Sequence, residues 1–316
     1  MLGTALVFGC ESSYRGEEPS ASDAGDASPT DAVVEDRASP IDAGDGGAAC
    51  DPTKPFGTPR EVVGLATPLH EGSARLSPDE LTVVFHAIRG DAGENDLFMA
   101  TRTDPNGAFT GEARLSMFAT ASSENHPSMS PDGLTLVFAR YAGSEWSLRR
   151  SVRATTAVPF ETETAIGSPI DIAGGELQPY LLADALYFTA AAPDAGLLTT
   201  FKRAERNAAT FGAPVAIPEL GSSSSDCNPT VTPDERTIYF CSDRPAAGAK
   251  GAYDIYVATR ASKDVPFSSI KPVEELSTTA NEYPDWISPD GCRLYFTSDR
   301  VRGDGSGDVF VAERGR

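Results

Sequence analysis

Ser288-Pro289-Asp290-Gly291 runs directly into Cys292-Arg293-Leu294-Tyr295-Phe296, and the reading of this stretch decides the fold. Proline presets the backbone for a tight turn, aspartate bonds the following backbone, and glycine accepts a positive φ. The residues after the turn are aromatic and aliphatic, as strands require. The same pair of features occurs at Ser77-Pro78-Asp79-Glu80 before Leu81–Phe85, at Ser130-Pro131-Asp132-Gly133 before Leu134–Phe138, and at Thr232-Pro233-Asp234-Glu235 before Thr237–Phe240. A worn fifth copy replaces the turn with Leu182-Ala183-Asp184-Ala185 and keeps the strand Leu186-Tyr187-Phe188.

Two further markers travel with the turn. A second strand-forming run follows about a dozen residues on, as Asp96–Arg102, Asp254–Arg260 and Asp308–Arg314, with degenerate copies at Trp146–Arg150 and Leu198–Lys202. A phenylalanine opens each unit: Phe56, Phe109, Phe160, Phe211 and Phe267, spaced by 53, 51, 51 and 56 residues. Short runs such as Arg60–Val63, Ala113–Leu115, Pro214–Ile217 and Pro272–Leu276 come next. Each unit therefore supplies four short strands and no useful helical periodicity. Four-stranded units repeated at a fixed period form a β-propeller. The fold class is all-β: a five-bladed β-propeller of four-stranded blades. The first run (Arg60–Val63) is of the outermost type and the last (Asp308–Ala312) of the third type. The phase predicts that the N-terminal strand pairs in the last blade and closes the ring, leaving no open edge.

With the Ser-Asp-Arg after two of the strands (Ser242-Asp243-Arg244, Ser298-Asp299-Arg300) and the Asp-Ile-Tyr-Val run at Asp254, these motifs resemble the TolB-like, "WD40-like" propeller repeats. The resemblance covers Phe56 to Arg316. It departs from TolB in blade count, five against six, and residues before Phe56 cannot supply another. It implies a periplasmic or surface scaffold that binds other proteins.

The N-terminal part reads differently. Leu6-Val7-Phe8-Gly9-Cys10 resembles a bacterial lipobox, so residues 1–10 are expected to be a lipoprotein-type signal segment with Cys10 lipidated. Phe8 is bulkier than that pattern favours, and no Lys or Arg precedes the apolar run; a start codon further upstream would account for the second departure. Residues 11–51 carry eleven acids and two arginines, repeat Asp-Ala-Gly, and contain few large apolar side chains. Such composition cannot offset ordering entropy, so an acidic disordered tether is expected, spanning about 35 Å as a coil. The propeller is then 52–316. The expected location is the bacterial cell envelope, on the outer membrane or periplasmic face, with membrane contact only through the lipid. Glu11 after Cys10 is not the aspartate that marks inner-membrane retention in some bacteria, which favours the outer membrane.

The chain has 316 residues, 40% hydrophobic, and a net charge of −20. That charge excludes nucleic-acid binding by bulk attraction. No stretch is long enough for a transmembrane helix. Cys227 and Cys241 lie seven residues either side of Asp234, which sets them opposite each other in a hairpin and predicts a disulfide. Cys50 and Cys292 are expected on one face of the last blade, either as a second bridge or as two free thiols. His70, His86 and His126 show no ligand spacing, so no metal centre with the cysteines is expected.

Aligned on the turn, the residue seven before the proline position is acidic in every unit: Glu71, Glu124, Glu176, Asp226 and Glu282. It falls where the chain enters the innermost strand. One reading is a carboxylate ring at a channel mouth, with His70, Asn125, His126, Gln178, Asn228, Asn281 and Tyr283 beside it, binding a basic peptide or a cation such as calcium. The other, favoured, reading is structural: each carboxylate accepts from a neighbouring blade's backbone. Trp146 and Trp286 read as packing between blades. No Gly-x-Ser-x-Gly elbow, P-loop, dinucleotide fingerprint or His-Glu-x-x-His occurs. The preferred function is a monomeric, non-enzymatic envelope scaffold without a cofactor, binding a protein, peptide or small ligand at the channel mouth. The alternative is a carboxylate-dependent glycan hydrolase or lyase on a five-bladed propeller. A catalytic acid would be one that a single unit has and its siblings lack.

Overall fold

The computed structural model describes residues 50–89, 94–142, 145–171, 175–191, 199–207, 210–303 and 305–315. Cys10 and the expected tether up to residue 49 lie outside the described residues. Five antiparallel sheets follow one another along the chain. The innermost strands are Glu71–Leu76, Glu124–Met129, Glu176–Leu181, Asp226–Val231 and Glu282–Ile287. Each pairs with a second strand: Thr82–Ala87, Thr135–Ala142, Ala185–Ala191, Thr237–Ser242 and Arg293–Ser298. A third strand and a short fourth complete each blade, and blade three carries an extra two-residue strand at Thr210–Phe211.

The ring closes as its phase predicts. Arg60–Glu61 forms the outer strand of blade five, with Arg60 opposite Val311 and Glu61 opposite Phe310. Phe56 bridges to Arg314, and the N–H of Asp51 donates to the carbonyl of Gly315. Both disulfides form: Cys227–Cys241 across a hairpin, with Cα atoms 4.9 Å apart, and Cys50–Cys292, with Cα atoms 6.2 Å apart. Cys50 and Asp51 are therefore already part of the fold, just ahead of the expected boundary at 52.

The recurring residues have recurring bonds. In each intact turn the serine or threonine hydroxyl donates to the aspartate, and that carboxylate accepts the N–H two residues on, as in Ser130–Asp132–Leu134 and Ser288–Asp290–Cys292. The arginine after the third strand lies over the unit-opening phenylalanine: Arg102 on Phe109, Arg153 on Phe160, Arg260 on Phe267 and Arg314 on Phe56, at 3.9 to 4.4 Å from the ring centres. Its Nε donates to a carbonyl of the turn, for example Arg153 to Gly133 at 2.7 Å. Cation–π contact and a backbone acceptor together tie the outer strand to the turn of the same blade. The phenylalanine marker is thus a seat for this arginine. In blade three the arginine, Arg206, instead reaches the carbonyls of Leu182 and Ala183, where the turn motif is missing.

The inner strands bulge. Ser73, His126, Gln178 and Asn228, each two residues after the ring acid, have φ between 49° and 53°, and the strand register shifts there. In blades two to four a proline follows, and a proline at a bulge removes no ladder hydrogen bond. Blade five has Pro284 at the corresponding place, whose ring fixes φ near −65° and forbids the left-handed form. Its register shift falls between Pro284 and Trp286 instead.

Candidate functional site: the central channel

The ring acids begin all five inner strands and are buried. The carboxylates of Glu71, Glu124, Asp226 and Glu282 are occupied by nearby side chains and backbone. Glu124 accepts from Thr120 Oγ1 at 2.6 Å and from Arg140 Nε at 2.9 Å. Asp226 accepts from the N–H and hydroxyl of Ser222, from Ser242, and from Arg244. Glu282 accepts from Thr278 and Arg300, and Glu71 from Thr67 and Arg89. Each of these four thus has a hydroxyl residue four positions before it and an arginine from the far end of the second strand. The donors include a backbone N–H, that of Thr67, Thr120, Ser222 or Thr278 on the connection from the preceding blade, as the structural reading expected, and an arginine, which it did not. The arginines are Arg244 and Arg300 of the Ser-Asp-Arg motifs and their counterparts Arg89 and Arg140. Burial pushes the carboxyls of Glu71 and Glu124 up, and that of Glu282 up to about 7, against these donors.

Beside the ring, all three histidines of the chain come together, which their separation in sequence concealed. The rings of His70 and His86 stack with centres 5.2 Å apart, and His126 meets His86 edge-on at 5.6 Å. The Gly307 N–H donates to His70 Nδ1, so neutral His70 carries its proton on Nε2, 3.1 Å from His86 Nε2. His126 Nδ1 lies 2.9 Å from Ser73 Oγ. The nitrogens face one another and the backbone in sequence, and do not converge on a point. Burial lowers all three pKa values, to about 4 for His70 and about 3 for His126, with the Arg75 charge adding to the effect on His126. A base so weak does not activate the Ser73 hydroxyl near neutral pH. The left-handed φ of Ser73 marks no nucleophile either, since three sibling blades share it.

The remaining predicted residues lie on the inner strands or directly before one. Gln178 Oε1 accepts from the Asn228 N–H and from Thr189. Tyr283 packs its ring against Tyr253 at 5.5 Å. Asn281 bonds Tyr253 and Asp299. The Oδ1 atoms of the buried Asn125 and Asn228 meet no donor among the described residues.

Sequence reasoning missed the other half of the channel. Arg75, on the first inner strand, is 1% exposed. It donates to Thr230 Oγ1 at 3.1 Å and lies 4.6 Å over the Tyr180 ring. Its Nε and Nη2 meet no acceptor, and no carboxylate lies within salt-bridge distance of it among the described residues. Asp285, fully buried, accepts from Thr297 at 2.7 Å through one oxygen; the other has no donor. Burial pushes its carboxyl up to about 7, although the Arg75 charge acts the other way. Both residues break the repeat. Arg75 aligns with Ser128, Tyr180 and Thr230, and Asp285 with Ala74, Pro127, Pro179 and Pro229. That departure was readable once the ring acids were aligned.

Arg75 also lines a cavity of about 280 Å³ at the turn end of the channel, remote along the strands from the ring acids. Its walls are Leu76, Met129, Leu181, Val231 and Ile287, with Tyr180 and Trp286 beside Arg75. The turn prolines Pro78, Pro131, Pro233 and Pro289 form the rim, and Ala183 takes their place in blade three. Trp286 packs edge-on against Tyr295 as well as lining this space.

No protein-family profile matches the chain, and no curated protein matches it in sequence. Solved structures match in shape. TolB from Acinetobacter baumannii superposes with a TM-score of 0.50 at 15% identity, over 80% of this chain but only 57% of that one. A family 117 glycoside hydrolase from Zobellia galactanivorans superposes with a TM-score of 0.53 at 12% identity, over 84% and 90% of the two chains. The α-L-arabinofuranosidase PaAbf62A from Podospora anserina gives 0.51 at 12%, over 84% and 98%. Identities this low establish a shared propeller fold, and that fold carries both a TolB and glycoside hydrolases.

Proposed function

We propose that the protein is a non-enzymatic binding scaffold of a bacterial cell envelope, anchored through lipidated Cys10, whose ligand enters the central channel. The observation that carries this reading is the turn-end cavity, with apolar walls and, among its lining residues, the buried Arg75, whose Nε and Nη2 meet no acceptor among the described residues. Ligand sites have that composition. The resemblance of the repeats to TolB-like scaffolds supports the envelope location. The ring acids belong, on this reading, to the framework that holds the blades, because four of them, Glu71, Glu124, Asp226 and Glu282, each bond a Thr or Ser and an Arg.

One observation speaks for the hydrolase alternative. Asp285 is an acid that its sibling blades lack, and burial pushes its carboxyl up to about 7, so that both its forms are present at neutral pH. Glycosidases of the usual kind work with two carboxyl groups flanking the scissile bond. The Glu71, Glu124, Asp226 and Glu282 carboxylates are each engaged by an arginine, which removes them as the second acid. The test is native mass spectrometry of the full chain purified from its own envelope, run alongside a glycan-hydrolysis panel. The scaffold reading expects a bound molecule that is retained by the wild type and lost from Ala183→Trp, which blocks the rim. Glycan turnover that disappears in Asp285→Asn would overturn it.

A further inference from the structure

We propose that the turn-end cavity is a binding site for a small carboxylate whose negative head pairs with Arg75 and whose apolar body fills the walls. This rests on the binding reading above and assigns its ligand chemistry. A guanidinium buried to 1% exposure is costly unless an anion faces it. Two of its three nitrogens meet no acceptor, while Thr230 and the Tyr180 ring fix its plane. A guanidinium matches a carboxylate in donor geometry; Nε and Nη2 have almost no accessible surface as they stand, so the side chain turns toward the cavity it lines to meet one. Asp285 lies near enough that its charge and that of Arg75 favour each other, but the two form no salt bridge and no hydrogen bond, so the donor edge of the guanidinium is left unfilled among the described residues.

The rest of the cavity sets the body of the ligand. Five aliphatic side chains, Tyr180 and Trp286 line it, and the prolines of the rim offer no N–H to a polar chain. A volume of about 280 Å³ takes roughly a dozen non-hydrogen atoms, the small end of ligand pockets. A short aryl- or alkyl-carboxylate fits, whereas a sugar would face walls with few hydrogen-bonding groups. At Ala183 the rim lacks a proline and the residue is exposed.

The test uses 3-phenylpropionate and its uncharged amide, titrated calorimetrically into the full-length protein. The carboxylate is expected to bind at least tenfold more tightly than the amide. Arg75→Gln is expected to bring the two ligands to the same affinity while melting no lower than wild type. Ala183→Trp, on an exposed position, is expected to abolish both. Equal affinity for acid and amide in the wild type, unchanged carboxylate affinity in Arg75→Gln, or no carboxylate binding at about 10 mM would each overturn the assignment. Those failures leave the scaffold reading standing, because the envelope-derived ligand and its loss in Ala183→Trp test it separately.

Discussion

The two ends of the channel treat charge in opposite ways. At the end where the chain enters the inner strands, Glu71, Glu124, Asp226 and Glu282 each have an arginine of their own blade. At the turn end, Arg75 has no carboxylate and Asp285 has no cation in bonding contact. The first pattern repeats with the blade and the second does not. Repetition is what a framework residue shows, since every blade poses the same packing problem. A buried charged group that occurs once, with part of its bonding capacity unfilled, answers no packing problem that the blades share.

The largest expected effect tests this contrast directly. Arg140 bonds both Glu124 and Glu163 and donates to the Phe118 carbonyl. Arg140→Gln strands a buried carboxylate, and a loss of about 3 to 5 kcal/mol is expected. Arg75→Gln removes a buried charge that has no ion-pair partner, so it is expected to cost nothing or to stabilise. Guanidinium unfolding midpoints of the two variants measure the difference. Equal damage from both would make Arg75 a framework residue like the others.

The disulfides give a second, smaller contrast between the ends. Cys227–Cys241 follows ring residue Asp226 and closes a separation of 14 residues, whereas Cys50–Cys292 lies beside the last turn and closes 242. If the bridges act mainly on the unfolded chain, the longer loop contributes about 2 kcal/mol more. Paired Cys→Ala replacements, compared by the same unfolding midpoints, should show the Cys50–Cys292 variant as the less stable. The reverse order would mean that the core position of Cys227 and Cys241, both fully buried, outweighs chain entropy.

The blades were legible because their signals are local. Pro-Asp-Gly turns fix backbone angles, and Leu-Tyr-Phe runs fix strands, so blade number and ring closure followed from phase alone. The inner strands were harder, since Asn125-His126-Pro127 and Cys227-Asn228-Pro229 carry a proline where a strand pattern forbids one. Only the bulge, with a left-handed residue before the proline, makes them strands. The ring acids were legible as a set, but their arginines were not paired with them, because the partners lie 16 to 18 residues away across a bulged hairpin. The histidine cluster could not be read from sequence. His126 meets His70 and His86 through the angle between two blades, which no spacing encodes. Arg75 was passed over because the search was for what recurs, and its meaning lies in not recurring.

The smallest expected effect sharpens the turn end. Folding raises the pKa of Asp285 from an ordinary carboxylate value to about 7, through burial. The folded protein therefore holds a proton that the unfolded chain has already released, and stability falls as pH rises through the folded pKa. Between pH 6 and pH 8 this group alone accounts for a loss of about 1 kcal/mol. Asp285→Asn keeps an oxygen for the Thr297 hydroxyl and has no proton to lose, so its stability should lack that component. Glu282, also raised to about 7, titrates in both proteins. The histidines, lowered by burial, contribute stability that is lost as pH falls below about 6.5, again in both. The difference in pH slope between wild type and Asp285→Asn thus isolates one carboxyl beside Arg75. Parallel slopes would mean that Asp285 is ionised in the fold, that Arg75 feels its charge, and that the guanidinium has less need of an anion from outside.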